Sequence, residues 1–128
     1  MTKEKPTIES AFETFKQRCL YYQKLFELSF WKINFNLLPM GKECLARTKA
    51  NPIALVAELE LNEEVPMEYL TPDEIDRGAR HEMIHLLTRK LRMLADERFT
   101  LPADINMAEE ELTKRLETII KVALSNNK

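Results

Sequence analysis

The residues of this chain best suited to chemistry are Arg80-His81-Glu82-Met83-Ile84-His85-Leu86-Leu87, which contain the pattern His-Glu-x-x-His. Histidines four apart on a helix stand one turn above each other, so both imidazoles can reach a single metal ion from one face. Glu82 follows His81 directly and falls beside that ion, where a carboxylate can take the proton of a metal-activated water. Two plainer readings compete. Glu82 could form an ion pair with Arg80 or Arg89, and helical histidines are often only packed or solvated; against the latter, both histidines of the chain lie in this one motif.

Such a motif has to sit inside a helix, and the flanking residues supply one. Thr71 is placed to cap it, Pro72 suits its first position, and Asp73 and Glu74 put negative charge in the first turn, where the helix dipole favours it. The helix is predicted to run from about Pro72 to Ala95, ended by the segment Asp96 to Pro102. Ile75, Ala79, Met83, Ile84, Leu86, Leu87, Leu91 and Leu94 leave apolar residues around much of its girth, as expected of a helix covered on several sides. Gly78, three before His81 on the same face, costs helix stability. Its missing side chain leaves room for a metal, a substrate or a neighbouring strand, or simply allows close packing.

A catalytic zinc site commonly takes three protein ligands, and no third histidine exists in the chain. Thr88 and Leu91 stand where the longer metzincin pattern needs glycine and histidine, which excludes that pattern. The partner is therefore expected to be a carboxylate or water. Glu109, three before Leu112 and seven before Leu116, is expected on the buried face of the last helix, where a lone acid is costly unless something pairs with it. Glu110 and Glu111 are alternatives, Asp96 is a more distant one, and Glu109 could instead be the third residue of a capping box begun by Asn106.

The remaining elements must position this motif. Thr7 can cap a helix with apolar residues at Ile8, Phe12, Phe15, Cys19, Tyr22 and Phe26, an amphipathic packing stripe. Trp31 to Leu37 alternates apolar and polar residues, as does Cys44 to Ala50 after the turn Pro39-Met40-Gly41-Lys42. Ile53, Leu55, Ala57, Leu59 and Leu61 form a third alternating run. Three strands joined by short turns predict an antiparallel meander with one face on the helices. A last helix is expected from near Asp104 or Asn106, with Ile105, Leu112, Leu116, Ile119, Ile120 and Ala123 on its apolar face. The expected fold is thus α+β: an N-terminal helix, a small three-stranded antiparallel sheet, the motif helix and a C-terminal helix.

At 128 residues, with 45% hydrophobic and 31% charged, the chain reads as one domain spanning residues 1–128. A net charge of −2 offers no basic field for nucleic acid. No apolar run is long enough to span a bilayer, and residues 1–6 lead into no signal core, so a cytoplasmic protein is expected. Cys19 and Cys44 form no Cys-x-x-Cys and are expected to be reduced, one on a helix and one in a strand.

Taken together, Trp31 to Leu37 and Ile53 to Leu61 as strands, Gly78 to Leu87 as motif helix and Ala108-Glu109-Glu110 beyond it resemble the zincin metallopeptidases of gluzincin type. More narrowly they are similar to the minimal zincin-like proteins of phages and mobile elements, over about residues 30 to 120. The resemblance implies a zinc metallopeptidase: Zn2+ held by His81, His85 and Glu109, Glu82 as general base, and a protein or peptide substrate pairing with a sheet edge above the motif helix. The chain departs from fuller gluzincins in lacking a further histidine for the oxyanion, a role open to Tyr69 or Arg80, and it lacks the third histidine of SprT-like proteases. The alternative is a non-catalytic, metal-stabilised binding or regulatory protein of phage or mobile-element origin.

Overall fold

The first helix, α1 (Ile8–Leu25), starts where its residues dictate: the Thr7 hydroxyl accepts from the Ser10 N–H and the Ser10 hydroxyl from the Thr7 N–H. Ala11, Phe15, Cys19 and Tyr22 are buried along one stripe, and Phe26 is buried just past the end. The computed structural model describes residues 7–42, 44–97 and 100–126. The polar lead 1–6 lies outside these, as do residues 98 and 99 of the segment expected to end the motif helix.

Three strands follow, β1 (Lys32–Leu38), β2 (Ala46–Asn51) and β3 (Val56–Asn62), in the order β1-β3-β2. β2 pairs antiparallel with β3, but β1 pairs parallel with β3, so the sheet is mixed and not the expected antiparallel meander. The reason lies in the connections. Between β2 and β3 the Asn51 side chain accepts from the Ile53 and Ala54 N–H groups, which closes a tight turn and a true hairpin. That turn starts the third strand at Val56, later than expected: Ile53 is 83% exposed and Leu55 takes a left-handed conformation, φ 58°. Between β1 and β2 the longer link instead passes across the end of β3, where the buried Asn62 side chain receives the Met40 N–H and donates to the carbonyls of Gly41 and Cys44. Cys44, expected in a strand, belongs to this link.

The register lines up Phe35, Leu59 and Thr48 across the sheet, and Ile33, Ala57 and Ala50 beside them. This face carries the core: Phe15 of α1 meets Phe35 edge-on at 6.5 Å, and Ala57, Leu59 and Leu61 are fully buried. The strand period that buries Leu59 therefore also turns Thr48 toward the helices. On the other face Glu60 is 2% exposed, its carboxylate 2.7 Å from Arg47 Nε and 3.9 Å from Lys49 Nζ.

The motif helix α2 (Pro72–Asp96) begins as read, with the Thr71 hydroxyl accepting from the Glu74 N–H. Ile75, Ala79, Met83 and Leu86 face the core. Asp76 binds α2 to α1, accepting from Arg18 Nε and from the Tyr22 hydroxyl at 2.9 Å. Burial alone would raise the Asp76 carboxyl; the hydrogen bonds from Arg18 and Tyr22, with the Arg18 and Arg80 charges, outweigh it and hold the group below the usual carboxylate range.

The last helix, α3 (Pro102–Asn126), starts at Pro102, earlier than predicted. Its apolar stripe is largely uncovered: Ala108 is buried and Leu112 and Ile119 partly so, while Leu116 is 42% and Ile120 57% exposed. No helix among the described residues is long and apolar enough to cross a membrane.

Candidate functional site

His81 and His85 lie on the exposed side of α2 with their Nε2 atoms 3.2 Å apart and their rings nearly perpendicular, at 84°. Two ligands of a tetrahedral zinc, each about 2.0–2.1 Å from the metal, stand about 3.3 Å from each other. The pair thus fits two positions on one such ion. Glu82, one residue round the helix, is turned toward β2 and is 8% exposed. The Thr48 hydroxyl lies 2.8 Å from Glu82 Oε1 and 3.1 Å from the Glu82 carbonyl oxygen. With one proton, the hydroxyl serves one acceptor at a time and bridges β2 to the motif. Among the described residues Glu82 makes no ion pair; Arg80 instead approaches Asp76 at 3.9 Å.

These side chains open into one cleft between α2 and the edge strand β2, bounded also by Cys44, Arg47, Thr88, Arg89 and Arg92. A neighbouring depression shares His81 and Glu82 and adds Tyr69, Glu74, Arg77 and Gly78. Tyr69, half exposed on a short 3-10 turn (Met67–Tyr69), is therefore near the motif, as its candidacy for the oxyanion requires. Gly78 is explained by packing: a Cβ there would come 2.6 Å from Leu45 Cδ2, so the glycine admits the residue that leads into β2.

The structure does not bring the expected third ligand to the histidines. Glu109 is exposed, not on a buried face, and lies beyond the first turns of α3, so it is not the third residue of a capping box either. Glu110 is exposed, Glu111 is held by Lys90 at 3.2 Å, and Asp96 lies 3.8 Å from Arg92. None of the four lines the cleft. Among the described residues no three His, Cys, Asp or Glu side chains form a group able to hold a metal ion. The cause is where α3 packs. It faces Leu86, Leu87 and Lys90 of α2 across an apolar cavity of about 270 Å³ that also takes in Trp31, Ala108 and Leu112. Lys90, five residues past His85, is about 140° round the helix from it.

Thr48 and Cys44 are the site residues that the sequence reading missed. Alternation in β2 could mark Thr48 as inward-facing, but its neighbour depended on which helix lies over the sheet. Both cysteines are free; Cys44 is exposed on the cleft and Cys19 is buried behind it. Burial, with a lesser contribution from the Glu82 charge, pushes the Cys19 thiol far up and keeps it protonated. No family model, curated protein or solved structure matches this chain.

Proposed function

We propose that this chain is a zinc-dependent hydrolase of peptide bonds, a minimal metallopeptidase of zincin type working in the cytoplasm. The observation that carries the reading is the convergence of His81 and His85 at 3.2 Å beside a carboxylate fixed by a single hydroxyl. His81 and His85 would hold the metal, which when bound supplies an activated water and a polarised carbonyl. Glu82 accepts the proton released in the attack and returns it to the leaving amine. Thr48 keeps that carboxylate turned into the cleft, and the free edge of β2 alongside offers backbone groups to an extended peptide.

A second reading is a metal-stabilised binding or regulatory protein of phage or mobile-element kind, in which the two histidines hold a metal without catalysis. Elemental analysis of protein purified without added metal, paired with peptide-cleavage assays, separates the two. The hydrolase reading expects about one zinc per chain, lost in His81→Ala and His85→Ala and kept in Glu82→Gln. Cleavage should fall at least about 100-fold in Glu82→Gln. Glu109→Ala, Glu110→Ala, Glu111→Ala and Cys44→Ser ask which side chain, if any, completes the site. A wild-type protein that binds no zinc on titration would end both metal readings; a Glu82→Gln protein with full function would end the catalytic one.

A further inference from the structure

The cleft is electrically lopsided. On the helix face that carries His81 and His85, the next residues toward the C-terminus are Thr88, Arg89 and Arg92, and both arginines line the cleft. Arg89 is half-buried and makes no ion pair among the described residues. Arg92 reaches Asp96 only at 3.8 Å, with the two side chains 69% and 75% exposed, a pairing worth little in water. Arg47, committed to Glu60, adds to the field. At the other end, beside Gly78 and Tyr69, the charges of Glu74 and Arg77 offset each other at 3.9 Å. The last turn of α2 holds no basic residue, so the helix dipole accounts for neither arginine.

We propose that the segment entering this cleft is an acidic peptide, with aspartate or glutamate side chains on the side of His85 that leads to Arg89 and Arg92. The inference rests on the hydrolase reading for what becomes of the peptide, not for its binding. Arginine suits this role because its planar guanidinium pairs two-pronged with a carboxylate. Arg89 and Arg92 lie about 6 and 10 Å along the axis from His85, which an extended peptide covers in about two and three residues. The preference should thus be sharpest at those two positions. A polynucleotide is disfavoured: the chain carries a net charge of −2, and among the described residues no Phe, Tyr or Trp lines the arginine-bearing part of the cleft for bases to stack on.

The test uses the full-length Glu82→Gln chain, loaded with zinc, and fluorescein-labelled ten-residue peptides carrying paired Asp, Gln or Lys at either end, with oligo-dT as the nucleic-acid probe. Fluorescence anisotropy should show the Asp peptide with its acids at one end binding at least tenfold tighter than the Gln peptide, with the gap shrinking at high salt. Arg89→Gln and Arg92→Gln, added singly, should each remove most of that gap while zinc content and circular dichroism stay unchanged. Equal binding of Asp and Gln peptides, tighter binding of Lys peptides, binding of oligo-dT alone, or no binding at all overturns the proposal. Zinc content and cleavage by the wild type are read in parallel, so the two ideas fail separately. Zinc and cleavage without an acidic preference sink this inference alone. An Arg89-dependent acidic preference without zinc, seen with the unloaded chain, sinks the hydrolase alone.

Discussion

Thr48→Val offers the most direct test of how the site is built. Valine keeps the shape of threonine and removes only the hydroxyl, which is the one hydrogen-bond partner of the Glu82 carboxylate among the described residues. Glu82 is 8% exposed, so solvent replaces that donor poorly. A hydrogen bond to a charged group contributes about 1.5–3 kcal/mol. For a chain of 128 residues, at about 3–5 °C per kcal/mol, the melting temperature should fall by about 5–15 °C. The valine gains a little from burial, which pulls toward the lower figure. A double-mutant cycle with Glu82→Met isolates the pair: Thr48→Val should cost about 1.5–3 kcal/mol in the wild-type background and about 0.5–1.5 kcal/mol where the carboxylate is gone and the hydroxyl can donate only to the residue 82 carbonyl. Thr48→Ser should restore most of the loss. Urea unfolding followed by circular dichroism measures all five proteins. A coupling below about 0.5 kcal/mol would refute the view that Thr48 holds Glu82 in place.

Asp76→Asn should destabilise at neutral pH by about 1–2 kcal/mol, since it weakens the hydrogen bonds from Arg18 and Tyr22 that join α1 to α2. The Asp76 carboxyl is held below its unfolded value, so its stabilisation is present above about pH 4 and lost as pH falls through the folded value. Denaturant midpoints of wild type and variant should therefore converge in acid, and a gap that widens there would contradict the assignment. Asn62→Ala strips its partners from the Met40 N–H and the Gly41 and Cys44 carbonyls and should cost about 2–4 kcal/mol; urea midpoints within error of wild type would disprove the clasp. Iodoacetamide followed by mass spectrometry should find one thiol modified in the native protein, at Cys44, with Cys19 reacting only on unfolding. Equal rates at both would show that the core around Cys19 opens readily.

Local chemistry was legible in the sequence wherever neighbours along the chain settle it. Thr7, and Thr71 with Pro72 and the acids after it, marked two helix starts, and the spacing of His81 and His85 marked their shared face. Alternation in β1 and β3 put Phe35, Leu59 and Leu61 on the core side. The same logic failed for α3. Helical spacing of Leu116 and Ile120 marks a stripe but not how much of it is covered, and it placed Glu109 on the buried face, which in the structure runs through Ala108, Leu112 and Ile119 and leaves Glu109 exposed.

By itself the sequence determined that there are three helices and three strands, the core-facing sides of α1, α2 and β1, and the shared face of the two imidazoles, because those follow from periods of 3.6 and 2 and from caps three residues apart. The tertiary structure alone decided that β3 lies between β1 and β2, that Thr48 meets Glu82, that Arg89 and Arg92 share a cleft with the histidines, and that α3 packs on the opposite side of α2. A period states which way a side chain points, whereas its partner is set by long connections such as the one Asn62 clasps.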